Sequence, residues 1–411
     1  MITPSFGLTA TERVLPKLAL DFTTASLDSR ITFTRTTSAS NPATYVNSSG
    51  VVTAATNNQP RFDYDPVTLA CKGLLIEESR QNLILQSQAF NVGWSTLQSS
   101  IGADIAGVVS PDGIENADSL TDNTVNAFHA VYRDVAVSAV QYTYSFYAKA
   151  GTATQVAIRV RDTITGGTTH ILSVFDLSAV SVNQITGTGT ITDVGGGWYR
   201  CTATGTLTAG TRAFGIFVAD NGAISYAGTG KTLYIWGAQL EAGAFATSYI
   251  PTTTTALTRN ADVATMTGTN FSDWFNAGNG AFGCSVLPKA ASGVKPVLQC
   301  DDATALNTIV IQGNATATEM KITTLAVLQN ALSTGTITAN AQYGVCGAWS
   351  AGSDALSKSG ASPSTGSPLT IPTVTQARLG SDGTNYFNGW LKKVNYWPQR
   401  VTNSETQAFS K

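Results

Sequence analysis

Two runs in the middle of the chain restrict its fold more than any other feature. Residues 142–149, YTYSFYAK, place Tyr142, Tyr144, Phe146 and Ala148 on one side of an extended chain. Residues 155–162, QVAIRVRD, alternate Val156, Ile158 and Val160 with Ala157, Arg159 and Arg161. Strand side chains point alternately to opposite faces, so both runs read as strands, the second with a buried and a solvated side. Similar runs follow at HILSVFDL, TITDVGGGWYRCTATGTL, RAFGIFVAD and KTLYIWGAQLE, spaced by Gly and Asn turns. No 3.6-residue pattern of useful length competes with them. The expectation is an all-β chain: an N-terminal block followed by two antiparallel jelly-roll β-sandwiches.

At 411 residues the chain is too long for one ordinary domain. Block 1–92 has short β-rich runs around Phe22, Ile31, Phe33 and Tyr45, preceded by an arm up to Leu18 with little periodicity. Block 93–255 carries the strong strand signal. The run IPTTTTALTRNAD, 250–262, reads as a boundary of low complexity, and block 262–411 begins a second strand series. In that series Val394 and Tyr396 share a face from which Leu391 is out of phase, predicting a bulge near Lys392 and Lys393. Thr402 and Glu405 have capping-box spacing, predicting one short terminal helix.

The strand within YIWGAQLEAGAFATSYIPT, 234–252, has large residues on both parities: Ile235 on one, Tyr234, Trp236 and Leu240 on the other. Such a strand must use both faces, one in its own core and one against a concave surface, a neighbouring block or another chain.

Charged residues make up 12 % of the chain and the net charge is −2, which gives no electrostatic reason to expect nucleic acid or an anionic membrane as partner. No apolar stretch approaches the ~18 residues of a spanning helix. The N-terminus has no basic segment before an apolar core, so assembly in a cytoplasm is expected, with the five cysteines as free, mostly buried thiols.

The stretches ITFTRTTSASNPATYVNSSGVV, RFDYDPVTLACKGLLIEESRQNLILQS, GGGWYRC and YIWGAQLEAGAFATSYIPTTTTALTRNAD, in this order and spacing, resemble a family of tailed-bacteriophage virion proteins: head-spike, head-fibre or tail-fibre components. The middle block is similar to a carbohydrate-binding-module jelly roll. The last block, ending FNGWLKKVNYWPQRVTNSETQAF, resembles concanavalin-like or laminin-G-like sandwiches. The resemblance implies a virion surface location, an N-terminal block that anchors or oligomerises, a homotrimer, other virion proteins as partners, and weak multivalent attachment to host-surface polysaccharide. A capsid cement protein without a glycan ligand and a polysaccharide depolymerase are the other two readings.

Sugar rings stack on aromatic faces, so Trp94, Tyr132, Trp198, Tyr234 and Trp236 are the glycan-binding candidates of the middle block, each weighed against plain packing. Trp349, Trp390 and Trp397 have the same status in the last block. No catalytic residue is assigned. Glu77 and Glu78 are adjacent and face opposite sides, so they cannot flank one glycosidic bond; they read as surface or interface charge near Arg80. His129 and His170 are too few for a histidine zinc site. Asp301, Asp302 and Asp382 offer hard oxygens to a structural calcium but read as loop and turn residues. GGG at 195–197 has no helix after it and reads as a turn, and no cofactor is expected.

Overall fold

Strand Gln141–Ala150 sits between Trp198–Thr206 and Thr232–Ala242, and Tyr142, Tyr144, Phe146 and Ala148 all enter one core, as their alternation requires. The computed structural model describes residues 15–411. In the first sandwich one sheet runs Thr188–Asp193, Trp198–Thr206, Gln141–Ala150, Thr232–Ala242, Asp118–Asp122, Ser99–Gly102. Because its outer face meets the second sandwich, it is called the junction sheet. The facing, distal sheet runs Ser181–Thr186, Thr169–Asp176, Gln155–Arg161, Gly210–Ala219, Ala130–Val137, Ser95–Leu97. Val156, Ile158, Val160, Phe214, Ile216 and Val218 of the distal sheet meet the tyrosines of the junction sheet in that core.

The second sandwich is not built from the last block alone. Its strand Gly389–Trp397 pairs with Asn279–Pro288 on one side. On the other side it pairs with Leu18–Asp21 (Leu20 opposite Val394) and with Cys71–Ile76 (Leu74 opposite Leu391). In the opposing sheet Thr32–Thr34 pairs with Val263–Thr267. Leu18, Leu20, Phe22, Phe33, Leu74 and Ile76 lie in the same core as Phe282, Ile309, Trp349 and Tyr396. The physical reason is edge protection: without these pairings Gly389–Trp397 and Val263–Thr267 would each present a bare row of N–H and C=O groups. The division at residue 92 therefore does not follow the sheets. The arm before residue 15 lies outside the described residues.

The run 250–262 also differs from expectation. Its Leu257–Arg259 forms a two-stranded ribbon with Arg80–Asn82, and Ile250, Thr252, Arg259 and Asp262 are buried. The threonine run 252–255 itself stays outside the strand, as a bend leading into it.

Thr232–Ala242 uses both faces through a bulge at Gly237, where φ is +64° and the register against Gln141–Ala150 slips between Ser145 and Tyr147. The extra residue reverses the parity: Leu233 and Ile235 before it, and Ala238 and Leu240 after it, all face the core. Leu240 thus shares a face with Ile235 and not with Trp236, contrary to simple alternation. A side chain at 237 would also bring a Cβ to 2.9 Å from the Tyr147 ring.

Other expectations match. Lys392 is the extra residue of a bulge, since Ser285 pairs with Lys393 and Val286 with Leu391. Helix Asn403–Phe409 has the Thr402–Glu405 capping box. Gly195, Gly196 and Gly197 turn with φ of +81°, +61° and +78°. All five cysteines are free, four buried and Cys71 half-buried.

Leu20→Ala tests whether the first block belongs to the second sandwich. A buried leucine truncated in a shared core costs about 2–5 kcal/mol, so the denaturation midpoint of the second sandwich, followed through Trp349 fluorescence, should fall. An unmoved midpoint would mean that residues 18–76 fold on their own.

Candidate functional site

Five of the charged residues at the junction sit at strand ends of the second sandwich, and a sixth, Arg259, ends the ribbon strand Leu257–Arg259. Arg35 follows Thr32–Thr34, Arg61 precedes Phe62–Tyr64, Glu77 follows Cys71–Ile76, Asp262 precedes Val263–Thr267 and Lys289 follows Asn279–Pro288. Asp262 accepts from Arg35 Nη1 at 2.6 Å, from Arg61 Nη2, and from the Glu77 backbone N–H at 2.9 Å. Glu77 meets Lys289 Nζ at 2.7 Å, Arg61 Nη1 at 2.9 Å and Arg259 Nε at 3.6 Å. From the other crossing segment, Ser248 donates its backbone N–H at 2.9 Å and its hydroxyl at 2.7 Å to the same carboxylate. Five of these six charged side chains have no exposed surface, and Lys289 retains 14 %.

Neutral groups continue this weld into the first sandwich. The Asn82 side chain donates to the carbonyls of Ala238 and Ile250 at 3.1 and 2.9 Å and accepts from Leu240 N at 2.9 Å. Glu241 accepts from Gln239 Nε2 at 2.6 Å and from Thr247 N at 2.9 Å. Trp236, Tyr147, Tyr249 and Trp198 cluster beside them; Tyr249 lies 4.7 Å from Trp236, centroid to centroid. The structure thus seats the second face of 234–241 on the chain's own neighbouring block.

Next to the weld lies a cleft of about 710 Å³ between the sandwiches. Its floor is the outer face of the junction sheet, where register lines up hydroxyls in rows: Thr188, Thr204 and Thr143; then Thr190, Thr202 and Ser145. Arg200 follows in the next row, held by Nη1 to the Thr247 carbonyl at 2.7 Å and by Nη2 to Ser145 Oγ at 3.1 Å. Among the described residues the Thr190 and Thr202 hydroxyls have no protein partner, whereas Thr143 and Thr204 bond each other at 2.8 Å. The opposite wall carries Tyr45, Phe245 and the edge of Trp390, whose Nε1 donates to Asp63 at 2.9 Å and whose ring lies within 5.0 Å of both Lys72 and Lys289 Nζ. The carboxylates here are engaged: Asp63 also accepts from Val46 N at 2.6 Å, Asp65 pairs with Lys72 at 3.6 Å, and Asp193 accepts from Gly195 N at 2.8 Å.

The sequence candidates do not converge. Trp236 has no exposed surface and Trp198 retains 2 %, its Nε1 donating to the Val109 carbonyl at 2.8 Å, so neither ring offers a face to a sugar. Tyr234 is half-buried beside them. Trp94 packs on Phe90 at 4.8 Å with Nε1 on the Gln86 carbonyl at 3.1 Å, at the sandwich edge. Tyr132 stands alone among them on the distal sheet, half-buried. Trp349 is core, and Trp397 stacks on Phe409 at 4.2 Å. The hydroxyl rows were missed, although TGTITD and CTATGT show them as threonine at alternate positions.

Glu77 and Glu78 do point apart, but Glu77 is buried rather than superficial, while Glu78 pairs with Arg80 at 2.5 Å. His129 is buried between the Gln98 and Tyr226 carbonyls, and His170 meets Asp162 at 2.8 Å. Asp301 is held by Arg378 Nε at 2.8 Å, Asp302 accepts from Asn307 Nδ2 at 2.8 Å, and Asp382 accepts from Asn385 Nδ2 at 2.8 Å. Among the described residues no group of three or more His, Cys, Asp or Glu is placed to hold a metal ion.

No protein-family model and no curated protein sequence matches the chain. Solved structures similar in part are β-sandwich domains. The CBM40 of the Ruminococcus gnavus IT-sialidase, bound to α2,3-sialyllactose, is 14 % identical, with 33 % of this chain and 84 % of that chain covered and a TM-score of 0.30. Domain 4 of the arabinanase AbnA from Geobacillus stearothermophilus, in complex with arabinotriose, is 10 % identical over 41 % and 82 %, with a TM-score of 0.30. Domains LG4-5 of the mouse laminin α1 chain are 7 % identical over 80 % and 91 %, with a TM-score of 0.24. The chain is all-β, of antiparallel sandwich architecture.

The weld makes a signed pH prediction. Burial alone would raise the Glu77 carboxyl, but Lys289, Arg259 and Arg61 outweigh it and hold it well below its ordinary value of 4.5. A carboxyl lowered in the folded state contributes stability that is complete above that ordinary value and is lost as pH falls toward the folded value. Thermal melts should therefore weaken progressively below pH 4.5. Glu77→Gln should cost about 3–5 kcal/mol at neutral pH, because it strands buried cations, and should flatten that acid slope.

Proposed function

We propose that the protein is a non-enzymatic component of a bacteriophage surface, in which two sandwiches locked together hold a fixed cleft for a neutral stretch of host glycan. The cleft carries this reading. Its volume suits a short oligosaccharide, its floor presents unengaged Thr190 and Thr202 hydroxyls in register, and its wall supplies Tyr45, Phe245 and the edge of Trp390. Hydroxyl rows spaced by strand geometry match the polar edge of a sugar chain, and the aromatic wall matches its C–H faces. The weld pre-organises both walls, which lowers the ordering cost of binding.

The non-enzymatic part rests on the engagement of Asp63, Asp65 and Asp193 by protein donors, which leaves none of them placed as a free acid and base pair. The phage part rests on the ordered phrases 31–52, 61–87 and 234–262, which supply much of the weld. Avidity from many copies would make a weak single-site affinity sufficient; a homotrimer is the assembly this reading takes.

Thr202→Val replaces a hydroxyl by a methyl of equal size. The melting temperature should stay put while affinity for host-surface polysaccharide, measured by surface plasmon resonance, drops about 5–10-fold, the usual scale for one lost hydrogen bond. Immunogold electron microscopy of intact particles checks the location: label on capsid or tail is expected, and bare particles would refute it.

A further inference from the structure

The floor of the cleft continues past the threonine rows to a phenol that nothing in the protein engages. Tyr147 pairs with Arg200 in the row next to that of Thr202 and Ser145. It projects from the same outer face, since its neighbours Phe146 and Ala148 fill the core. Diagonal neighbours on paired strands stand about 7–8 Å apart, within reach of an aromatic side chain, so the hydroxyls of Tyr147 and Thr202 can serve one ligand. Tyr147 is only 5 % exposed, with its ring 5.2 Å from Trp236 and 5.4 Å from the Arg200 guanidinium. Among the described residues its hydroxyl has no hydrogen-bond partner. Yet it is not sealed in the core as the Tyr144 hydroxyl is, because Tyr147 lines the cleft. Burial outweighs the nearby Arg200 charge and raises the phenol above its ordinary value of 10, so it remains an O–H donor at neutral pH.

A donor held that deep costs free energy unless an acceptor reaches it. The wall beside it shows what else that acceptor must carry. Segment 243–247 runs along the hydroxyl rows, tied at one end by Thr143 Oγ1 to the Gly243 carbonyl at 2.8 Å and at the other by Arg200 Nη1 to the Thr247 carbonyl at 2.7 Å. Ala244, Phe245 and Ala246 of this segment line the cleft, as do Ala290 and Ala291 from the chain leaving Asn279–Pro288. The Phe245 ring already takes the Arg80 guanidinium at 4.9 Å and the Lys295 ammonium at 5.4 Å, so what it lends the cleft is apolar bulk. A sugar hydroxyl turned toward these side chains would lose its water and gain no partner, whereas a methyl group there buries apolar surface.

We infer that the cleft reads an acetamido sugar: the Tyr147 hydroxyl donates to the acetamido carbonyl, the Thr202 hydroxyl accepts the acetamido N–H, and the methyl lies against the alanine wall. A hydroxyl both donates and accepts, so the two protein groups match the two polar atoms of one amide. A plain sugar hydroxyl in the same place engages one of them and leaves the apolar wall uncovered. A site built to hydrogen-bond a group discriminates against the analogue that lacks it, because its own polar atoms then stay unpaired. The inference rests on the cleft reading and narrows it from a neutral glycan to one that carries an N-acetylhexosamine.

The test titrates the full chain calorimetrically with tri-N-acetylchitotriose and with cellotriose, which share one backbone and differ only in an acetamido or a hydroxyl group on the second ring carbon. Tri-N-acetylchitotriose should bind at least tenfold more tightly, about the scale of one or two hydrogen bonds. Tyr147→Phe removes only the hydroxyl. It should weaken tri-N-acetylchitotriose about tenfold, leave cellotriose as it was, and keep the melting temperature, because the hydroxyl has no partner in the fold. A fall in melting temperature with unchanged affinity would make Tyr147 structural and overturn the inference. Equal affinity for the two trisaccharides, or binding of neither, also overturns it. The cleft reading is judged apart from this, by host polysaccharide. If Thr202→Val weakens that binding while Tyr147→Phe does not, the acetamido assignment falls and the cleft stands. If neither variant weakens it, both fall.

Discussion

The buried carboxylates of Glu77 and Asp262 fix the relation between the two halves of the molecule. Each lies where a crossing segment leaves or re-enters the second sandwich, and each is held from both directions. Taking such charges out of water is costly, and a well-packed apolar junction would serve stability as well or better. What the ions add is position. Apolar surfaces tolerate sliding, whereas a carboxylate that must satisfy Arg61, Lys289 and Ser248 together has one workable placement. The cleft inherits that placement: Lys289 reaches from the weld to the Trp390 ring, and Ser248 and Tyr249 belong to both.

Local alternation was a reliable guide where a strand buries one face in its own sandwich, as at Gln141–Ala150 and Gln155–Arg161. The bulge at Lys392 was legible for the same reason: an apolar residue out of phase must be brought back by one extra residue. At Gly237 the cue was also present, a glycine inside a strand with large residues on both parities, but the alternation alone could not say that the parity reverses there. Pairing over long separations was not legible. Nothing in LALD indicates that Leu20 will face Val394, because any short β-rich run can serve as an edge partner. Hence the sequence suggests a separate first block, whereas in the structure its strands close the second sandwich.

The aromatic candidates show a related ambiguity. Trp198 and Trp236 were attractive because they stand on a sheet face that the core does not use, and that part is correct. A sheet face outside the core is open to ligand only if no other part of the chain covers it. Here the returning segment lays Tyr249 on Trp236 and the loop around Val109 on Trp198. The same residues that made the strand look like a binding surface made it a good internal interface, since indole and phenol rings bury large area with few rotamers.

Once the junction is closed, the two outer faces of the first sandwich differ sharply in electrostatic character. On the junction sheet, Arg200 is tied to backbone and serine oxygens and the cleft carboxylates have donors. On the distal sheet, Arg159 and Arg161 repel one another, and among the described residues no carboxylate is paired to either. Packing does not account for that pair, because Met or Leu at 159 would cover Phe128 without the desolvation of a charge. Unmatched charge in an otherwise sparsely charged chain is the kind of local inconsistency that marks function more often than folding. Arg159 therefore carries a desolvation cost that its contact with Phe128 offsets only in part, whereas the buried charges of the junction are matched by carboxylates.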